Sequence, residues 1–345
     1  MNIPKALFID TSIFDGLAYN FKSTKFGVIR SLGKKFRLKL LIPDPIEREI
    51  NRHIADRSES AVKSLENTAR KAPFLTQLDS WPLKNNEKTA LVYQLQAHVE
   101  KELLDFFDNF EVIKLDYTGV DINEIMNWYN WKYAPFSDKK KSEFPDAFAV
   151  ACLNQYHKTS GDNIAVVSSD GDYNLVCQRY KHFLYFPSLT AYAEAVQYED
   201  ERIEKIHKIL SADDLIIRNA ISEEFPDLTF LVEANWDGEV YDIELIDFNE
   251  IEYHVIGTGH HNYIISFDAE IFFSAYVSYW DLETAVYDEG EAYPLFKIEG
   301  RIEQNSTISG TCKITTDEAE KEIIDCNNIE FDQDYISIDA VPDEY

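Results

Sequence analysis

Two short apolar runs in this chain each end at an aspartate, and that pairing narrows the folds open to it. Ala6-Leu7-Phe8-Ile9 is closed by Asp10, and Ile164-Ala165-Val166-Val167-Ser168-Ser169 is closed by Asp170. Such runs read as strands buried on two faces, as in a parallel sheet covered by helices. Acids at the carboxyl ends of those strands stand on the edge where open parallel sheets bind ligands. Glu49 and Asp146 belong with them, because each lies in the opening turns of a predicted helix that begins with a proline, Pro45 or Pro145. Four carboxylates converging on one cleft repel one another and take up protons unless a divalent cation keeps them ionised. The residues alone therefore point to a metal-dependent phosphodiesterase.

The helix phases support this. After the strand Leu38–Ile42, Asp44-Pro45-Ile46-Glu47 reads as an N-cap, a proline at the first helical position and a capping-box glutamate. Ile46, Ile50 and Ile54 mark the inward face, with Glu49 and His53 on the same side and Glu47, Arg48 and Arg52 outward. Burying an unpaired acid costs roughly several kcal/mol. Asp146 repeats the pattern, in phase with Ala149, Val150 and Leu153. Either acid alone is equally well a helix-start residue favoured by the macrodipole. That account does not cover all four together.

At these residues the chain resembles the PIN-domain nucleases, in particular the branch carrying an EFPDA element. The matching pieces are Phe8-Ile9-Asp10-Thr11-Ser12, then Ile42-Pro43 with Arg48-Glu49-Ile50, then Lys141-Ser142-Glu143-Phe144-Pro145-Asp146-Ala147, then Val167 to Tyr173. They cover residues 1 to about 190 in order. The resemblance implies a three-layer α/β/α sandwich on a central parallel sheet, Mg²⁺ or Mn²⁺ as cofactor, and hydrolysis of RNA to 5′-phosphate and 3′-hydroxyl ends. It makes Asp10, Glu49, Asp146 and Asp170 the catalytic and metal-binding acids and Asp172 a fifth ligand. Ser12 and Ser168 become hydroxyls near the metal, and Glu143 the acid of the EFPDA element. Mg²⁺ takes oxygen ligands and keeps several waters, so a few carboxylates suffice. No Ser-His-Asp or Cys-His arrangement is evident, which leaves water as the nucleophile. Lys139-Lys140-Lys141 adjoins the site and is placed to contact phosphate, although a run of lysines is also commonly just solvated.

Other folds with strand-end acids fit less well. A haloacid dehalogenase phosphatase needs a second aspartate two residues after the first, where this chain has Ser12; Asp15 reads as a helix-start acid. A receiver domain is shorter and has no helix-borne counterpart of Glu49. There is no GxGxxG and no Walker pattern. Gly257-Thr258-Gly259-His260-His261 reads as a turn between strands, and its histidines lack spaced partners for zinc. Trp128, Tyr129, Trp131 and Tyr133 read as packing residues before a base-stacking platform. Three functions stay open: a metal-dependent endoribonuclease such as a toxin or defence effector, an inactive PIN-fold binding scaffold, and a structure-specific DNA nuclease.

Charge divides the chain in two. Residues 1–195 hold 25 Lys and Arg against 25 Asp and Glu, while residues 196–345 hold 8 against 37, so the formal net charge of −29 is C-terminal. The expected layout is a PIN-like domain over 1–195, a helical connector over 196–226 and an acidic, mainly antiparallel β domain over 227–345. Phosphate avoids so acidic a surface. That domain is expected either to restrain the nuclease until a protein partner displaces it, or only to aid solubility. Cys152, Cys177, Cys312 and Cys326 form no CxxC pair. With no signal peptide and no apolar run of about 18 residues, the expected location is the cytoplasm, off the membrane.

Overall fold

The computed structural model describes residues 3–83, 87–137, 140, 143–198, 200–232, 238–280, 286–288, 291–293, 296–333 and 335–339. The chain forms two compact units, Met1–Val196 and Gln197–Tyr345.

The first unit alternates strands and helices in the order β1 (Ala6–Ile9), α1 (Thr11–Gly16), α2 (Thr24–Phe36), β2 (Lys39–Pro43), α3 (Asp44–Lys71), α4 (Lys88–Phe107) and β3 (Glu111–Leu115). It continues through α5 (Ile122–Trp131), α6 (Phe144–Ser160), β4 (Ile164–Val167), α7 (Gly171–Arg179), β5 (Phe183–Phe186) and α8 (Leu189–Val196). All five strands are parallel and lie in the order β3-β2-β1-β4-β5. Every residue of β1 and of β4 is buried, which requires cover on both faces. Their registered pairs run from Ala6 and Ile164 to Ile9 and Val167. Asp10 and Ser168 therefore follow on adjacent strand ends. The chain winds from β1 to one side and later from β4 to the other, so a crevice opens beyond these two ends.

Helix α3 buries Ile46, Ile50 and Ile54, as their spacing predicts. Its start differs from expectation. Pro43 is the N-cap and makes no side-chain cap bond, while Asp44 is already helical. The Asp44 carboxylate accepts instead from Arg48 Nε at 2.8 Å and from the Tyr117 hydroxyl at 2.7 Å. Glu47 likewise pairs with Lys114 on β3 rather than closing a capping box.

The second unit begins with helices. Helix α8 ends at Val196 and α9 (Glu201–Ala212) starts afresh. Asp200 sets the new start, its side chain accepting from Arg202 N. Then come α10 (Leu215–Glu224), β6 (Thr229–Val232), β7 (Glu239–Thr258), β8 (Asn262–Trp280), β9 (Val286–Asp288) and β10 (Glu291–Tyr293). The last three strands are β11 (Lys297–Thr316), β12 (Ile323–Phe331) and β13 (Tyr335–Ile338). The main sheet is antiparallel, in the order β12-β11-β8-β7, beside a β9–β10 antiparallel pair and a β6–β13 parallel pair.

The residues expected as a connector are part of this unit's core. Ile203, Ile206, Ile209, Leu210, Ile217 and Ile221 bury their side chains with those of the sheet, including Phe267 and Phe273. Strands β7, β8 and β11 are long, at 20, 19 and 20 residues. The glycine inside β11 does not interrupt it: a Cβ at Gly310 would meet the Glu330 carbonyl and the Phe267 ring, so only glycine fits there. The Gly257–His261 segment makes the β7–β8 turn, with Gly259 N donating to Asn262 O at 2.8 Å.

Candidate active site

Asp10 is 4 % exposed and ends β1 while capping α1. Its Oδ2 accepts from Ser12 Oγ at 2.5 Å, Ser12 N at 3.3 Å and Ser168 Oγ at 2.8 Å. Ser168 passes the connection on, its own Oγ accepting from Asp170 N at 3.0 Å. Both serines expected near the site thus hold Asp10 in place. Burial pushes the Asp10 carboxyl above the usual carboxylate range, against the serine hydrogen bonds, and Glu49 adds to the upward push.

Glu49 sits on α3, half-buried, where Thr11 Oγ1 donates to its Oε2 at 3.1 Å and Arg52 to its Oε1 at 3.2 Å. His53, one turn on, stands 3.8 Å from Glu49 Oε1 but is bonded through Nδ1 to Asp15 at 2.7 Å. Asp15 is therefore not a helix-start acid. It lies near the end of α1 and ties that helix to His53 and Arg57 of α3.

Asp146 is also strongly perturbed. Its carboxyl is pushed up to about 8, first by burial, then by the Asp10 charge, a hydrogen bond to Glu143, and the charges of Glu49 and Glu143. Glu143 is thus among the groups that raise the Asp146 carboxyl. That assigns Glu143 a part in the cluster its motif position left undefined. Tyr173 also joins the cluster. It is buried against Phe8 with ring centroids 5.6 Å apart, and its hydroxyl lies 3.5 Å from Asp146 Oδ1. Its place one turn after Asp170 is the only sequence signal for this, and a tyrosine there reads equally well as core.

Asp170 and Asp172 face elsewhere. Asp170 caps α7 by accepting from Asp172 N at 2.8 Å. Lys140 Nζ lies 2.7 Å from Asp172 Oδ2 and 3.1 Å from Asp170 Oδ2. The two carboxylates hold that ammonium charged to well above the usual lysine range. Lys139 and Lys141 lie outside the described residues. Trp128 and Tyr129 pack inward, Trp128 beneath Arg179 and Tyr129 against Phe136 and Phe144, whereas Trp131 and Tyr133 are exposed.

The acids thus form two neighbouring groups linked through Ser168. Glu49 helps raise the proton affinity of Asp10, and Asp10, Glu143 and Glu49 raise that of Asp146, while Asp170 and Asp172 are compensated by Lys140. Among the described residues, no three His, Cys, Asp or Glu side chains are already gathered into a cage able to hold a cation. The chemistry of the donor set nonetheless suits one: carboxylate and hydroxyl oxygens, with excess negative charge relieved by protons and a lysine. Among the described residues no helix is long and apolar enough to cross a membrane.

No curated protein and no solved structure matches the chain. Residues 7–173, which span β1 through the opening of α7, match the family model of the PIN domain, a fold generally found in nucleases.

Proposed function

We propose that the first unit is a divalent-metal-dependent nuclease that hydrolyses RNA phosphodiester bonds. The observation that carries this reading is the upward push on Asp146 by burial together with Asp10, Glu143 and Glu49, acids brought from β1, the start of α6 and α3 to one crevice. Perturbed acids gathered in a cleft from distant parts of a chain mark a functional site more often than a structural one. Asp10, Glu49 and Asp146 would hold Mg²⁺ or Mn²⁺, with Asp170 and Asp172 completing the oxygen set. When bound there, the cation supplies charge compensation for the phosphate and acidifies an attacking water.

The chain's own side chains have separable tasks. Ser12 and Ser168 keep Asp10 oriented, and Thr11 with Arg52 does the same for Glu49. Asp146, whose carboxyl is held up by burial and neighbouring acids, would release its proton as the cluster becomes ionised. Lys140, 3.1 Å from Asp170, would offer its ammonium to a phosphate oxygen entering the crevice.

The test is incubation of the full chain with end-labelled single-stranded RNA and DNA in Mn²⁺, Mg²⁺ or chelator, beside Asp146→Asn. Metal-dependent cleavage of RNA that Asp146→Asn abolishes is the expected result. Cleavage of DNA alone would change the substrate class, and no cleavage with intact metal binding would favour a binding scaffold.

A further inference from the structure

The metal reading above leaves Lys140 with a second task. Resting on that reading, we infer that Lys140 is an internal competitor for the cation, holding Asp170 and Asp172 until a divalent ion displaces it.

The geometry is that of a counter-ion rather than of a solvated lysine. One ammonium reaches two carboxylates of the α7 start, at 2.7 Å from Asp172 and at 3.1 and 3.5 Å from the two oxygens of Asp170. Its backbone is tethered as well: Lys140 N donates to Ser137 Oγ at 3.1 Å, and Lys140 O accepts from Ser137 N at 3.0 Å. The side chain therefore extends from a held point into the acids. Lysine suits the role, because its charge is a compact point on a flexible stem that can swing away.

The two groups of acids meet the same electrostatic demand in different ways. Asp10 takes the hydroxyl hydrogen bonds of Ser12 and Ser168, whereas Asp170 and Asp172 take an ammonium. A divalent ion between the groups would relieve both. It cannot share the Asp170 oxygens with an ammonium without strong like-charge repulsion. Loading the site then means exchanging Lys140 for the ion. A lysine that merely anchors the α7 start would influence folding stability and leave ion affinity unchanged.

The experiment is calorimetric titration of Mn²⁺ into the full chain at low salt, for the wild type, Lys140→Gln, Lys140→Arg and Asp146→Asn. Lys140 is half-exposed, so its removal should have the effect of an exposed ion pair at the upper end of its range, about five-fold tighter Mn²⁺ binding in Lys140→Gln. Lys140→Arg keeps the competing charge and should stay within about two-fold of the wild type. The gap between wild type and Lys140→Gln should narrow as KCl is raised, because screening weakens the competitor. Wild-type affinity, or a weaker one, in a folded Lys140→Gln protein overturns the inference. If Asp146→Asn meanwhile binds more weakly than wild type, the metal site stands and only the competitor falls. If no variant binds Mn²⁺, the competitor and the metal reading fall together.

Discussion

Ser168 Oγ donates to Asp10 Oδ2 across 2.8 Å, from the end of β4 to the end of β1. The pair joins two strands separated by most of the first unit's sequence, in a place where Ser168 has no exposed surface and Asp10 has 4 %. A hydroxyl so placed orients the carboxylate and also lowers its proton affinity.

Ser168→Ala should therefore act on stability and chemistry at once. Losing a buried hydrogen bond to a charged acceptor lowers unfolding free energy by about 1–3 kcal/mol. Nuclease turnover should fall roughly ten-fold or more, as for other groups that orient metal ligands. The Asp10 carboxyl should rise further, moving the acid limb of the pH–rate profile to higher pH. Denaturant melts and a pH series on the purified variant check all three, and an unshifted acid limb would count against this role for Ser168.

The Asp146 proton makes stability depend on pH. In the fold its carboxyl is held at about 8, against 3.8 in the ordinary state. A group raised in this way favours the folded state fully below about pH 4, and the advantage is lost as pH rises towards 8. Melting temperature in chelator should therefore decline across that window. Asp146→Asn should flatten the decline and melt a few degrees higher than wild type at pH 8. Equal slopes in the two proteins would mean that Asp146 is ionised in the fold.

Asp10→Asn, Glu49→Gln and Asp146→Asn should each reduce RNA cleavage by more than about 100-fold, since removing a ligand costs more than removing its support. Chelator should abolish the wild-type reaction, and added Mn²⁺ should restore it. Far-UV circular dichroism should stay unchanged in all three variants. Full activity in a folded Asp146→Asn protein would remove that residue from the site.

The acidic second unit offers a kinetic test. If its 37 acids against 8 bases restrain the first unit, a fragment of residues 1–196 should cleave faster than the full chain at low salt. The difference should shrink as ionic strength rises, because the Debye length is about 10 Å at 0.1 M. Equal rates at every salt concentration would assign the charge to solubility alone.

Much of the first unit is legible in local sequence. Apolar runs closed by Asp10 and Asp170 announce buried parallel strands, and Ile46, Ile50 and Ile54 reveal which side of α3 faces inward. These signals survive because strand and helix periodicities are local properties of the chain. The start of α3 misled because partners distant in sequence, Tyr117 and Lys114, engaged Asp44 and Glu47.

What the sequence by itself determined is a set of elements and the acids at their ends. Tertiary structure alone decided the pairing of charges, since Lys140 is 30 residues from Asp170, and Glu49 is 38 from Thr11. It also decided that the helices after Val196 share a core with the antiparallel sheet. An amphipathic helix shows in sequence that it has an apolar face, but not which surface will cover it. The strength of a carboxyl's hold on its proton is likewise set by burial and neighbouring charge, and both exist only once the chain has folded.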